Sequence, residues 1–163
     1  MNFATLLRLL SEHGVEFIIV GGAAAVIHGS SRLTEDLDIV YERNPENIAR
    51  LVQALAGQSP YLRGAPPGLP FRWSDRTIAA GLNFTLETDL GPLDLLGEII
   101  GGGGYHELVE HTVEADVFGV QCRCLDLGSL IRVKRATGRP KDLEAISELE
   151  AMLEEEHGDE PPH

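Results

Sequence analysis

Four apolar residues, Phe17-Ile18-Ile19-Val20, run without interruption straight into Gly21-Gly22. An unbroken apolar run of this kind marks a strand covered on both faces. A glycine pair at its end lets the backbone turn sharply and come close to other groups. Residues 23–28 are small and mostly apolar and read as a short buried helix ended by Gly29. A covered strand feeding directly into a covered helix commits the chain to a sheet with helices packed on it.

The flanking patterns agree. Residues 1–13 place Phe3, Leu6, Leu7 and Leu10 on one helical stripe, with Gly14 as the stop. Residues 37–41 read as a strand, and Asn44-Pro45 opens a helix to about residue 56, because proline is tolerated in a first turn. Residues 82–88 alternate apolar and polar, residues 89–92 form a turn, and residues 93–96 return as a hairpin partner. A second hairpin is predicted from 113–118 and 120–124 around Gly119. Asp126 is placed to cap a helix through residue 137 that Gly138 closes, and Arg139-Pro140 opens a last helix to about 155. Residues 57–75 carry Pro60, Pro66, Pro67 and Pro70 and read as irregular, residues 101–104 as a flexible glycine connector, and residues 105–110 as a helical turn. The expected fold class is α/β (α+β): a mixed β-sheet flanked by helices, with a C-terminal helical pair. The 163 residues suit one domain over 1–156, with 157–163 as a disordered tail.

Charge narrows the function. Thirteen Lys and Arg stand against 26 Asp and Glu, a net charge of −13, so broad nucleic-acid binding driven by net charge is not expected. No apolar run reaches the roughly 18 residues of a membrane span, and no secretory leader pattern opens the chain. Cys122 and Cys124 sit too close for an unstrained mutual disulfide, which suits a reducing cytoplasm.

The chemistry concentrates in Arg32-Leu33-Thr34-Glu35-Asp36-Leu37-Asp38. On a strand, residues two apart face the same way, so Asp36 and Asp38 converge while Leu37 and Ile39 face the core. Like charges so placed repel unless a cation lies between them, and oxygen-only ligands suit Mg²⁺ or Mn²⁺. Asp94, alone in the apolar stretch Leu93–Leu96, is costly to bury unless paired or metal-bound. Gly21 and Gly22 precede a helix start where backbone N–H groups could approach a phosphate. Arg32 could steady the acidic loop or reach a phosphate. Each feature also has a plainer meaning: Asp-x-Asp is common on surfaces, Lys134 could be a solvated helix residue, and Asp142 could serve the dipole of the last helix. Trp73 could stack on a base or anchor its loop.

Taken together, Gly21-Gly22, the Arg32-x-Thr34-x-Asp36-x-Asp38 segment and the distant Asp94 resemble the nucleotidyltransferase superfamily with the DNA polymerase β-like fold. Lys134 with Arg139-Pro140-Lys141-Asp142 resembles the AbiEii-type nucleotidyltransferase toxin group. The resemblance implies Asp36, Asp38 and Asp94 as catalytic, metal-holding carboxylates, and Gly21, Gly22, Arg32 and Lys134 as nucleotide or phosphate contacts. It implies Asp142 as a supporting group. The function implied is transfer of a nucleoside monophosphate from a nucleoside triphosphate to an acceptor hydroxyl on RNA, protein or a small molecule, with a cognate antitoxin protein as partner. Many members carry Ser after the first glycine of the loop, whereas Gly22 and Ala23 stand here. The alternative is a catalytically silent module of the same fold that binds a nucleotide or a partner protein.

Overall fold

The Asn2 side chain accepts from the Thr5 backbone N–H at 3.0 Å and so caps α1 (Phe3–Glu12), which turns Leu6, Leu7 and Leu10 into the core. This is a computed structural model of the chain, and it describes residues 2–140 and 142–158. Strand β1 (Phe17–Val20) is buried along its whole length, as its apolar run predicts. Helix α2 (Gly21–Ile27) begins on the first glycine itself. Strand β2 (Leu37–Tyr41) starts one residue after Asp36, so only the second carboxylate of the pair lies within the strand. The Asn44 side chain caps α3 (Pro45–Leu55) by accepting from Asn47 N–H at 2.7 Å.

Residues 57–75 are less irregular than their prolines suggest. They hold β3 (Tyr61–Leu62), and α4 (Asp75–Ala80) begins at their end under a Ser74 cap. Two residues are too few to show a periodicity, and β3 exists only because a neighbouring strand supplies its hydrogen bonds. The Trp73 Nε1–H donates to the Val52 carbonyl at 2.9 Å, so this ring anchors the loop to α3. The first predicted hairpin is present as β4 (Phe84–Thr88) and β5 (Gly91–Leu96). Residues 101–104 correct the expectation of a flexible connector. Strands β6 (Glu98–Ile99) and β7 (Gly103–Gly104) pair antiparallel, and a Cβ on Gly101 would meet that of Ala136 at 2.4 Å. Glycine is there for close packing on a helix as well as for its positive φ of 81°.

After α5 (Tyr105–Leu108) come β8 (Thr112–Val117) and β9 (Val120–Leu125), the second predicted hairpin. Helix α6 (Leu127–Thr137) has Asp126 accepting from Ser129 N–H at 2.8 Å and is closed by Gly138 at φ 66°. Helix α7 (Asp142–Gly158) packs on α6, forming the expected C-terminal pair. His157 and Gly158 belong to this helix, not to a tail; residues 159–163, and Lys141, lie outside the described residues.

Seven strands form one mixed sheet in the order β3-β4-β5-β2-β1-β9-β8. Strand β2 runs parallel to β5 and antiparallel to β1, and β1 runs parallel to β9. The register of two contacts positions the site: Asp38 lies opposite Asp94 on β5 and opposite Val20, the last residue before the glycines.

Candidate active site

Neighbouring strands are about 4.8 Å apart, so the register of β2 against β5 by itself brings the Asp38 and Asp94 side chains together. Asp36 joins them from the loop that enters β2. One carboxylate oxygen from each of Asp36, Asp38 and Asp94 lies within 4.8 Å of the other two. The loop is shaped locally: Thr34 Oγ1 donates to the Asp36 carbonyl at 3.0 Å, which gives the threonine of the Arg-x-Thr segment a concrete role. Burial, reinforced by the charges of Asp94 and Asp36, pushes the Asp38 carboxyl up to about 8, with the Arg63 guanidinium pulling the other way. Asp38 Oδ1 is buried and has no hydrogen-bond partner among the described residues. An all-oxygen donor set with an orphaned, desolvated oxygen fits a hard divalent cation. Asp36, Asp38 and Asp94 are the residues that could hold it.

The first glycine is required by this carboxylate and the second by the loop before it. Gly21 has φ of 63°, and a Cβ there would stand 2.3 Å from Asp38 Oδ2. A Cβ on Gly22 would meet Thr34 Oγ1 at 3.0 Å. Together they let the start of α2 lie flush against Asp38 and the Thr34 loop.

Lys134 projects from α6 toward the same end of the sheet. Its Nζ lies 3.8 Å from Asp142 Oδ1. Asp142 is buried and also accepts from Thr137 Oγ1 at 2.9 Å and from Arg139 Nε at 3.1 Å. The Thr137 hydroxyl first, with Arg139 and Lys134 adding, holds the Asp142 carboxyl below its ordinary range. Two cavities meet at Gly22 and Lys134. One of about 340 Å³ reaches Asp38, Asn83 and Thr137, and one of about 290 Å³ is lined by Ser30, Arg32 and Glu148. Arg32 faces Glu144 at 3.6 Å and Glu148 at 3.9 Å and lines the second cavity, not the one that reaches Asp38. Glu148 accepts from the hydroxyls of Ser30 and Ser31, which tie the loop leading to Asp36 back onto α7.

Two further groups were not visible in the sequence. Arg63, directly after β3, has Nη2 2.9 Å from Asp94 Oδ1 and Nη1 3.8 Å from Asp36 Oδ2. Glu87 on β4 faces the Arg63 Nε at 3.6 Å. In the sequence Arg63 is one of two arginines in a proline-rich stretch, beside two strand-forming residues, and nothing local singles it out. Trp73 and His28 take structural places: the His28 ring nitrogen Nε2 pairs with the Leu125 carbonyl at 2.8 Å.

No protein-family model and no curated protein sequence matches this chain. Its fold is similar to that in the crystal structure of a candidate nucleotidyltransferase from Thermotoga maritima, with a TM-score of 0.52 and 14% identity over 92% of this chain and 89% of the other. At that identity the likeness is one of fold: the chain has a nucleotidyltransferase-like architecture, with a mixed seven-stranded sheet flanked by helices and an acidic cluster at the heart of the sheet.

Proposed function

We propose that the chain is a metal-dependent nucleotidyltransferase that moves a nucleoside monophosphate from a nucleoside triphosphate to an acceptor hydroxyl. The observation that carries this reading is the convergence of Asp36, Asp38 and Asp94 beside the glycine turn and the Lys134 cavity. A divalent ion held by these carboxylates, Mg²⁺ or Mn²⁺, would neutralise charge on the reacting phosphate. In this reading the triphosphate lies along Gly21-Gly22, where glycine allows close backbone approach, and Lys134 meets its negative charge. Asp142 holds the lysine in place, and Arg32 contributes positive charge from the adjoining cavity. Asp94 orients the acceptor hydroxyl and takes its proton as oxygen attacks the α-phosphorus. The bond from the α-phosphorus to the bridging oxygen breaks, and pyrophosphate leaves.

The Lys134 and Asp142 pattern extends the proposal to a component of a toxin–antitoxin pair acting in the cytoplasm, with a second polypeptide as the antitoxin. No described helix is long and apolar enough to cross a membrane. Residues 1–156, with the rest of the last helix, would act as one catalytic domain.

A thermal-shift panel of the four nucleoside triphosphates, with and without Mg²⁺, tests the reading on wild type and Asp38→Asn, each against its own nucleotide-free baseline. Ligand at 100 times its Kd stabilises by about 2.7 kcal/mol, a rise of roughly 5–10 °C for a chain of this size. The expected result is a Mg²⁺-dependent rise in wild type that Asp38→Asn loses. No rise with any triphosphate would overturn the proposal and favour the silent module.

A further inference from the structure

Arg63, just past β3, heads a row that crosses β4, β5 and β2. Its backbone N–H donates to the Thr85 carbonyl at 2.9 Å, Thr85 lies opposite Asp94, and Asp94 lies opposite Asp38. Two strand spacings, about 9.6 Å, separate the Arg63 backbone from that of Asp94, a gap an extended arginine side chain can bridge. Here it does so. The guanidinium Nη2 pairs with Asp94 Oδ1 at 2.9 Å and donates to the Leu86 carbonyl at 2.8 Å. Nη1 faces Asp36 Oδ2 at 3.8 Å, and Nε faces Glu87 Oε2 at 3.6 Å without a hydrogen bond. One cation thus touches two of the three carboxylates that could hold a metal.

We propose that Arg63 is a built-in counterion that a divalent cation displaces from Asp94. The inference rests on the metal-binding reading above. A divalent ion held by Asp36 and Asp94 would place two positive charges beside the guanidinium, which repel it. Glu87 and the Leu86 carbonyl provide the place it moves to: Nη2 already reaches the carbonyl, and Nε, with no hydrogen-bond partner among the described residues, lies 3.6 Å from Glu87 Oε2. Arg63 is then a positioning residue. It holds Asp94 and Asp36 together before the ion arrives and lowers the affinity for that ion by its own charge.

The test is a Mn²⁺ titration, read by the electron-spin-resonance signal of the free ion, on wild type, Arg63→Gln and Arg63→Lys without nucleotide. Arg63→Gln should bind Mn²⁺ roughly tenfold or more tightly than wild type. Arg63→Lys, which keeps the charge and loses the fork, should fall between them. Equal or weaker binding by Arg63→Gln would overturn the proposal, since Arg63 would then be orienting Asp94 and not competing for it. A second readout follows the wild-type chain by NMR: saturating Mg²⁺ should shift the Arg63 Nε–H resonance, which the Arg63→Lys spectrum identifies by its absence. A resonance unmoved while Mg²⁺ binds overturns the displacement as well. Absence of Mn²⁺ binding in wild type and Arg63→Gln alike would instead bring down the metal-dependent reading itself.

Discussion

Asp38→Asn should make the metal-free protein more stable while removing its metal site. Asp38 is desolvated and faces Asp94 and Asp36, and these surroundings raise its carboxyl to about 8. The unfolded chain gives up that proton near pH 3.9. Between these values the folded state holds a proton that the unfolded state does not, so rising pH favours unfolding. At about 1.36 kcal/mol per pH unit the cost at pH 7 is on the order of 4 kcal/mol before the site relaxes. If relaxation halves it, asparagine, similar in shape and without charge, recovers about 2 kcal/mol, or roughly 4–8 °C in Tm. Melting curves in EDTA from pH 4.5 to 8.5 provide the check. The two proteins should melt together near pH 4.5, and the variant should draw ahead as pH climbs to about 8 and hold its lead beyond. Adding Mg²⁺ should close the gap by raising wild type alone. A variant that melts no higher than wild type at pH 8 in EDTA, or a lead that does not grow with pH, would refute the claim that the site stores carboxylate repulsion.

The same proton links metal binding to pH: Mn²⁺ affinity measured by calorimetry should rise by about tenfold per pH unit from 6 to 8 and level off above. A flat profile would contradict the burial of Asp38. Gly21→Ala should cost about 1–3 kcal/mol through its left-handed backbone and abolish Mn²⁺ binding, because the new methyl falls on Asp38 Oδ2. Denaturant melts and Mn²⁺ titration report the two effects separately. Lys134→Ala should weaken the Mg²⁺-dependent nucleotide shift while leaving Mn²⁺ affinity intact, and Asp142→Asn should reproduce part of that loss by releasing the lysine. Equal loss of nucleotide and metal binding in Lys134→Ala would mean that the lysine serves the fold and not the phosphate.

The parts of this protein that the sequence determined are those set by neighbours along the chain. The buried strand Phe17–Val20, the caps Asn44 and Asp126, the stop at Gly138 and both hairpins follow from apolar periodicity and from side chains satisfying backbone groups within a few residues. Asp36 and Asp38 stood out by their two-residue spacing, and Asp94 because a lone carboxylate in an apolar strand is costly wherever it goes. Tertiary structure decided what those residues meet. The parallel register that sets Asp38 against Asp94 joins strands separated by α3 and by the proline-rich stretch, and no local pattern encodes it. Strand β3 is too short to declare itself and takes its shape from β4, so Arg63 was hidden with it. The run Gly101–Gly104 looked loose because glycine lowers the cost of disorder, yet the close approach of Ala136 requires it. Local propensity reads the cost of a conformation; only packing across the sheet shows what offsets that cost.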